Sequence, residues 1–89
     1  MIVMDRENLY ARGWSHVVSV FNDIAELEAF RMRVGAPPAA LQLRNRRWPH
    51  LDLKGPPRAA ALAAADVVVD STADLIRYVR RARALSSSA

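Results

Sequence analysis

Two hydrophobic periods alternate along this chain, and their order predicts strands interleaved with helices. Ile2-Val3-Met4 is a short apolar run ending at Asp5, and the polar stretch from Arg6 to the breaker Gly13 predicts a connection. Trp14-Ser15-His16-Val17-Val18-Ser19-Val20-Phe21 is rich in β-branched and aromatic residues and predicts a second strand, with Trp14, His16, Val18 and Val20 on one side. From Asp23 the period lengthens. Ile24, Leu27, Phe30 and Val34 recur at helical spacing, Asp23 and Glu26 form a capping pattern, and Gly35 followed by Pro37-Pro38 is a stop. The spacing predicts a helix over 23–34.

Alternation returns at Leu41-Gln42-Leu43-Arg44 and again at His50-Leu51-Asp52-Leu53-Lys54, the two runs forming either a hairpin or two separate edges. Gly55-Pro56-Pro57 then opens an alanine-rich segment, Arg58 to Ala65, that predicts a short second helix. Val67-Val68-Val69 between two aspartates reads as a buried strand inside the sheet, parallel to a neighbour. Ser71 and Asp74 repeat the capping pattern, and Leu75, Ile76, Val79 and Ala82 make an apolar stripe opposite Arg77, Arg80, Arg81 and Arg83, predicting a third, amphipathic helix. The fold class expected is α/β (α+β), a single domain over 1–85 with a mixed sheet of four or five strands and about three helices, followed by a disordered tail at 86–89.

Composition narrows the classes. With 89 residues, one thin core must carry stability, and 52% hydrophobic with 25% charged residues is a globular balance. No cysteine is present, which excludes disulfides, thiolate nucleophiles and thiolate metal sites. The first residues meet Asp5 and Arg6 before any long apolar run, and no uncharged stretch reaches spanning length, so a cytoplasmic protein with no membrane partner is expected. The net charge of +4 is concentrated at Arg44, Arg46, Arg47 and on the third helix. Such patches suit nucleic acid or another polyanion, although twelve arginines among thirteen cations also fit plain codon bias.

The candidate chemistry follows from the alternation at 50–54. If that segment is extended, Leu51 and Leu53 enter the core while His50, Asp52 and Lys54 share the other face. His50 would carry a proton near neutral pH, Asp52 would orient it, and Lys54, Gly55 and Arg58 at a helix start would receive an anion such as phosphate. His16 joins the catalytic candidates from its own strand. Asp5, His16, His50 and Asp52 lack any short metal-ligand spacing, and no metal site is assigned. Ser15 and Ser19 lie opposite His16, and no serine elbow exists. Trp48 beside three arginines is either a base-stacking residue or a cover for the sheet edge.

The order of landmarks, namely Asp5, Trp14-x-His16, Asp23-x-x-Glu26-Leu27 with Phe30 and Gly35, then Gln42, His50-x-Asp52, Lys54 and Arg58, resembles a small bacterial and phage family known as domain of unknown function 4031. The resemblance spans Met1 to about Val79. It implies an α/β fold and adds Asp5 and Gln42 to the ligand-binding candidates, but implies no reaction. This chain departs from the family pattern where Arg6 stands for a second Asp, Glu28 for a His, and Leu51 for an aromatic.

Two functions are thus expected to compete. One is a pocket for a phosphate-containing ligand, a nucleotide or nucleic acid included, around His50, Asp52 and Lys54, with a hydrolytic role open. The other is a non-enzymatic module that binds a host protein or nucleic acid through Arg77, Arg80 and Arg81. A homodimer through an edge strand or the Leu75/Val79 stripe is compatible with either.

Overall fold

The alternating runs pair with one another, and the helical runs cover the apolar faces this creates. In the computed structural model, which describes residues 1–87, β1 (Ile2–Asp5) and β2 (Trp14–Ser19) form an antiparallel hairpin with Val3 opposite Val18 and Met4 opposite Val17. β4 (His50–Lys54) adds to the other side of β2, setting Asp52 opposite His16 and Lys54 opposite Trp14. β3 (Leu41–Gln42) pairs antiparallel with β4, and β5 (Val67–Val69) runs parallel to β1, giving the order β3-β4-β2-β1-β5. The chain is a small compact α+β domain with a five-stranded mixed sheet and three helices.

One sheet face is closed by α1 (Ile24–Val34) and α2 (Gly55–Ala64), which pack on β2, β3 and β4. Met4, Val17, Leu51 and Leu53 point into this layer against Leu27, Phe30 and Ala61. Each such burial is worth roughly 1.5–3 kcal/mol. The opposite face is covered only in part. α3 (Thr72–Ser87) lies over β1 and β5, where Leu75 and Val79 meet Val3, Val18 and Val20. No described helix lies over the part of that face around His16, Asp52 and Lys54, and this asymmetry positions the site.

Local signals explain the element ends. Asp23 accepts from the Glu26 N–H at 3.1 Å, and Gly35 takes the left-handed conformation (φ 74°), its N–H and that of Ala36 returning to the last turn of α1. The reciprocal half of the capping box is absent: the Asp23 N–H goes to Ser19 Oγ, and the Glu26 carboxylate also holds that hydroxyl. Ser71 Oγ accepts from the Asp74 N–H at the start of α3.

Several expectations are corrected. β5 is an edge strand, not an inner one, because only β1 flanks it and its valines are half-buried. The 41–44 and 50–54 runs pair as antiparallel neighbours, but β3 meets β4 only at His50 and Leu51, so Asp52 and Lys54 lie along a stretch of β4 that β3 leaves open. β2 stops at Ser19, where the chain turns and Asn22 adopts a positive φ of 56°, short of Phe21. The 41–44 alternation pairs over two residues only, and Leu43 is exposed. Helix α2 starts at Gly55. Ser86 and Ser87 belong to α3, with Ser87 Oγ returning to the Arg83 carbonyl, while the rest of the expected tail lies outside the described residues. Leu75 and Val79 are in the core, so that stripe offers no dimer surface.

Candidate functional site

A row of polar groups crosses the uncovered half of the sheet. The hairpin register that pairs Met4 with Val17 brings Asp5 beside His16, and the β2–β4 register sets Asp52 on the other side of His16. His50 lies two residues from Asp52 on the same face. Thus His16 of β2 stands between two carboxylates, one from β1 and one from β4.

Asp5 is fully buried and holds His16 twice. Its Oδ1 accepts from the His16 backbone N–H at 2.6 Å, and its Oδ2 from the ring Nδ1 at 2.8 Å, with the Thr72 hydroxyl donating to the same oxygen at 2.7 Å. Burial alone would push this carboxyl up. The His16 ring, the Thr72 hydroxyl and the His16 N–H together outweigh burial and hold it below the usual carboxylate range. An ionised carboxylate only accepts, so the ring proton of His16 sits on Nδ1 and Nε2 presents a lone pair outward. Asn8 supports this tautomer, its Nδ2 lying 3.3 Å from His16 Nε2.

His50 is oriented the same way by a different group. Its Nδ1 donates to the Trp48 carbonyl at 2.7 Å, and its Nε2 lies 3.3 Å from Asp52 Oδ1. The bond to Asp52 raises the His50 pKa above its ordinary value against the opposing effect of burial, and the Trp48 carbonyl adds to the rise. His16 Nε2 is 4.0 Å from the same Asp52 oxygen, and the two imidazole rings meet edge to face at 5.4 Å. One ligand atom from each of His16, His50 and Asp52 falls within 4.8 Å of the others. These three face an open cavity of about 300 Å³ that Asn8, Ala11 and Trp14 complete.

A longer trough of about 480 Å³ continues from Asp52 past Trp14, Gln42, Lys54 and Gly55, with Pro37 and Ala40 as its far wall. Lys54 Nζ lies 5.0 Å from the Trp14 ring centroid, a cation–π contact at the trough rim. Gln42, opposite His50 in the β3–β4 register, donates to the Ala39 carbonyl and forms part of the wall.

The expected site residues therefore divide. Asp5, His16, Gln42, His50, Asp52 and Lys54 share one face. Arg58 does not: its guanidinium lies on the α2 side, donating to Ser15 Oγ and to the Arg6 carbonyl, because Ser15 alternates to the face opposite His16. It ties α2 to the start of the 6–13 loop. Gly55 borders the trough, but the next two residues are prolines without N–H groups, so the helix start offers few donors to an anion. Arg77, Arg80 and Arg81 are exposed on α3, with Arg77 paired to Asp74, while Arg83 is engaged with Val20, Asn22 and the Trp48 ring. Trp48 packs beneath Arg83 against the α3 layer and is not a free stacking platform.

Sequence reasoning missed Asn8 and Thr72. Only the tertiary return of α3 to β1 brings Thr72 to Asp5. Asn8 reaches His16 because the 6–13 connection folds back through a pairing of Asn8 with Ala11. No described helix is long and apolar enough to cross a membrane. Comparison of the chain with protein-family models, curated proteins and solved structures finds no match.

Proposed function

We propose that the uncovered sheet face binds a phosphate-containing small ligand and carries hydrolytic chemistry at its inner end. The carrying observation is the row Asp5–His16–Asp52–His50, in which both imidazoles are locked with Nε2 toward one open cavity. Groups held in one tautomer by buried or backbone acceptors are arranged for chemistry more than for packing. The Thr72 hydroxyl on this face is committed to Asp5 Oδ2, and Ser15 and Ser19 point the other way; the attacking group in this reading is water held by the trio. Lys54 and the Trp14 ring bind the body of the ligand in the adjoining trough. The similarity to the domain of unknown function 4031 family belongs to this reading, because its landmarks Asp5, His16, Gln42, His50 and Asp52 fall on the same face. A cytoplasmic setting is part of it as well.

Thermal-shift measurements against inorganic phosphate and a panel of nucleoside phosphates test the reading. At least one compound should raise the melting temperature in the wild type, and Lys54→Ala and His50→Gln should each abolish the shift. A panel in which no shift depends on either residue removes the proposal.

A second reading rests on α3, where Arg80 and Arg81 are exposed and have no ion-pair partner among the described residues. Such a face suits a polyanionic partner, nucleic acid or an acidic host protein. Glutamate at 77, 80 and 81 would abolish that binding and leave the thermal shifts untouched.

A further inference from the structure

The inner end of the site gathers one ligand atom from each of three side chains at the mouth of the cavity. With the Nδ1 atoms committed to Asp5 and to the Trp48 carbonyl, His16 Nε2, His50 Nε2 and Asp52 Oδ1 converge; a proton on His50 Nε2 bridges it to the carboxylate oxygen at 3.3 Å, and a cation that displaces this proton meets all three atoms. The Asn8 amide reaches in as a donor against His16. A phosphate-bearing ligand would add a further anion beside Asp52. We infer that His16, His50 and Asp52 form a binding site for one divalent first-row transition-metal ion, with coordination positions open to the cavity for water and a ligand oxygen.

Spacing supports this. Metal–ligand distances near 2.0–2.1 Å in a tetrahedral shell imply about 3.3 Å between ligand atoms. The His50–Asp52 pair already has that separation, His16 Nε2 must approach Asp52 Oδ1 from 4.0 Å by less than an ångström, and the His16 and His50 ligand atoms, within 4.8 Å of each other, must close by at most about 1.5 Å. That is within small χ rotations of two side chains that are only partly buried. The second shell is in place: a carboxylate on His16 Nδ1 and a backbone carbonyl on His50 Nδ1 are the partners that metal-bound imidazoles ordinarily have. Two imidazoles and one carboxylate select zinc, manganese, iron, cobalt or nickel over calcium and magnesium, which prefer all-oxygen shells. The donors come from β2 and β4 in register, so the folded sheet pre-forms the site. The inference deepens the ligand-pocket reading by giving the water and the ligand oxygen a common centre, yet it is testable without any ligand.

Chelator-stripped protein titrated with Zn²⁺, Mn²⁺, Ni²⁺ and Co²⁺ by calorimetry should take up one ion per chain, with a melting shift on the order of 10 °C at hundredfold excess over the dissociation constant. Bound Co²⁺ should show d–d absorption of a nitrogen- and oxygen-ligated ion. His50→Gln and Asp52→Asn should each weaken binding at least tenfold, while Arg80→Ala leaves it unchanged. Should the variants fold poorly, the imidazole ¹⁵N signals of the wild type supply the same test, since Zn²⁺ must shift the Nε2 resonances of both histidines. Absence of uptake for all four ions, uptake surviving both substitutions, or unmoved Nε2 signals would each overturn the inference. Ion uptake with no response to any phosphate compound sinks the ligand reading alone, and a ligand response in protein that takes up no ion sinks the metal site alone.

Discussion

Replacing Asp5 by Asn tests the orientation of the site more sharply than touching either histidine. Three donors converge on the Asp5 carboxylate: the His16 N–H at 2.6 Å, the His16 Nδ1–H at 2.8 Å and the Thr72 hydroxyl at 2.7 Å. A carboxamide has one acceptor oxygen. With that oxygen toward the His16 backbone, the amide NH₂ faces the ring and Thr72. The hydroxyl can turn to accept, and the imidazole can accept only by moving its proton to Nε2. Charge-assisted bonds of this kind are worth about 1.5–3 kcal/mol each, but burying a neutral amide costs less than burying a carboxylate, so a net loss of about 2–4 kcal/mol is expected. For a domain of this size with a urea m-value of roughly 1–1.5 kcal/mol/M, that lowers the denaturation midpoint by about 1.5–3 M. The paired readout is ¹⁵N NMR of His16, which should change from Nδ1–H to Nε2–H in the folded variant and remove its outward lone pair. A midpoint moving by less than about 0.5 M, with the wild-type tautomer retained, would refute the assignment of Asp5 as the group that sets His16.

Further outcomes follow from the same geometry. In chelator-treated protein, stability should fall on both sides of a mildly acidic optimum. Asp5 has a folded pKa below its unfolded value, so its contribution is present above about pH 3.9 and is lost as pH falls through the folded pKa. His50 has a folded pKa above its unfolded value, so its contribution is complete below about pH 6.5 and is lost as pH rises through the folded pKa. Urea midpoints from pH 2 to 9 should show both limbs, and Asp52→Asn should flatten the alkaline one; an unchanged alkaline limb contradicts the His50–Asp52 pairing. Arg58→Met should cost about 1–2 kcal/mol in urea denaturation through its lost bonds to Ser15 and the Arg6 carbonyl, with ligand and ion binding unaltered. Gly35→Ala meets no neighbouring atom yet must adopt φ 74°, so about 1 kcal/mol should be lost by the same assay. Leu51→Ala, fully buried under α1 and α2, should cost about 2–5 kcal/mol.

The parts of this fold legible in sequence are those set by neighbours a few residues apart. Leu51 and Leu53 enter the core while His50 and Asp52 stay out because a pleated strand sends successive side chains to opposite faces, and that alternation is written in the residues themselves. The capping aspartate and left-handed glycine of α1 are equally local. Arg58 shows where locality fails. It stands four residues from Lys54, a spacing that suggests a shared anion clamp, but α2 lies on the far side of the sheet, so the helix start that follows β4 carries Arg58 away from the face Lys54 occupies. The inner position expected for Val67–Val69 failed for a related reason: an apolar run between aspartates reports burial of its faces, whereas edge or centre depends on which strand lies beside it.

The pairing at the heart of the site was hidden by register, not by residue type. Asp5, His16 and Asp52 were each visible as candidates, yet nothing local relates residues 11 and 36 positions apart. Two registers do: Met4 opposite Val17 fixes Asp5 beside His16, and Leu51 opposite Val17 fixes Asp52 on its other side. A one-residue slip in either pairing would turn a whole strand over and bury a carboxylate in the Leu27–Leu51 layer without a partner. The hydrophobic pattern that specifies the core therefore also specifies the Asp5–His16–Asp52 row. It follows that the row cannot be dismantled by small sliding motions of the strands, and that whatever occupies the cavity must adapt to side-chain rotations of His16, His50 and Asp52 on a backbone the core holds still.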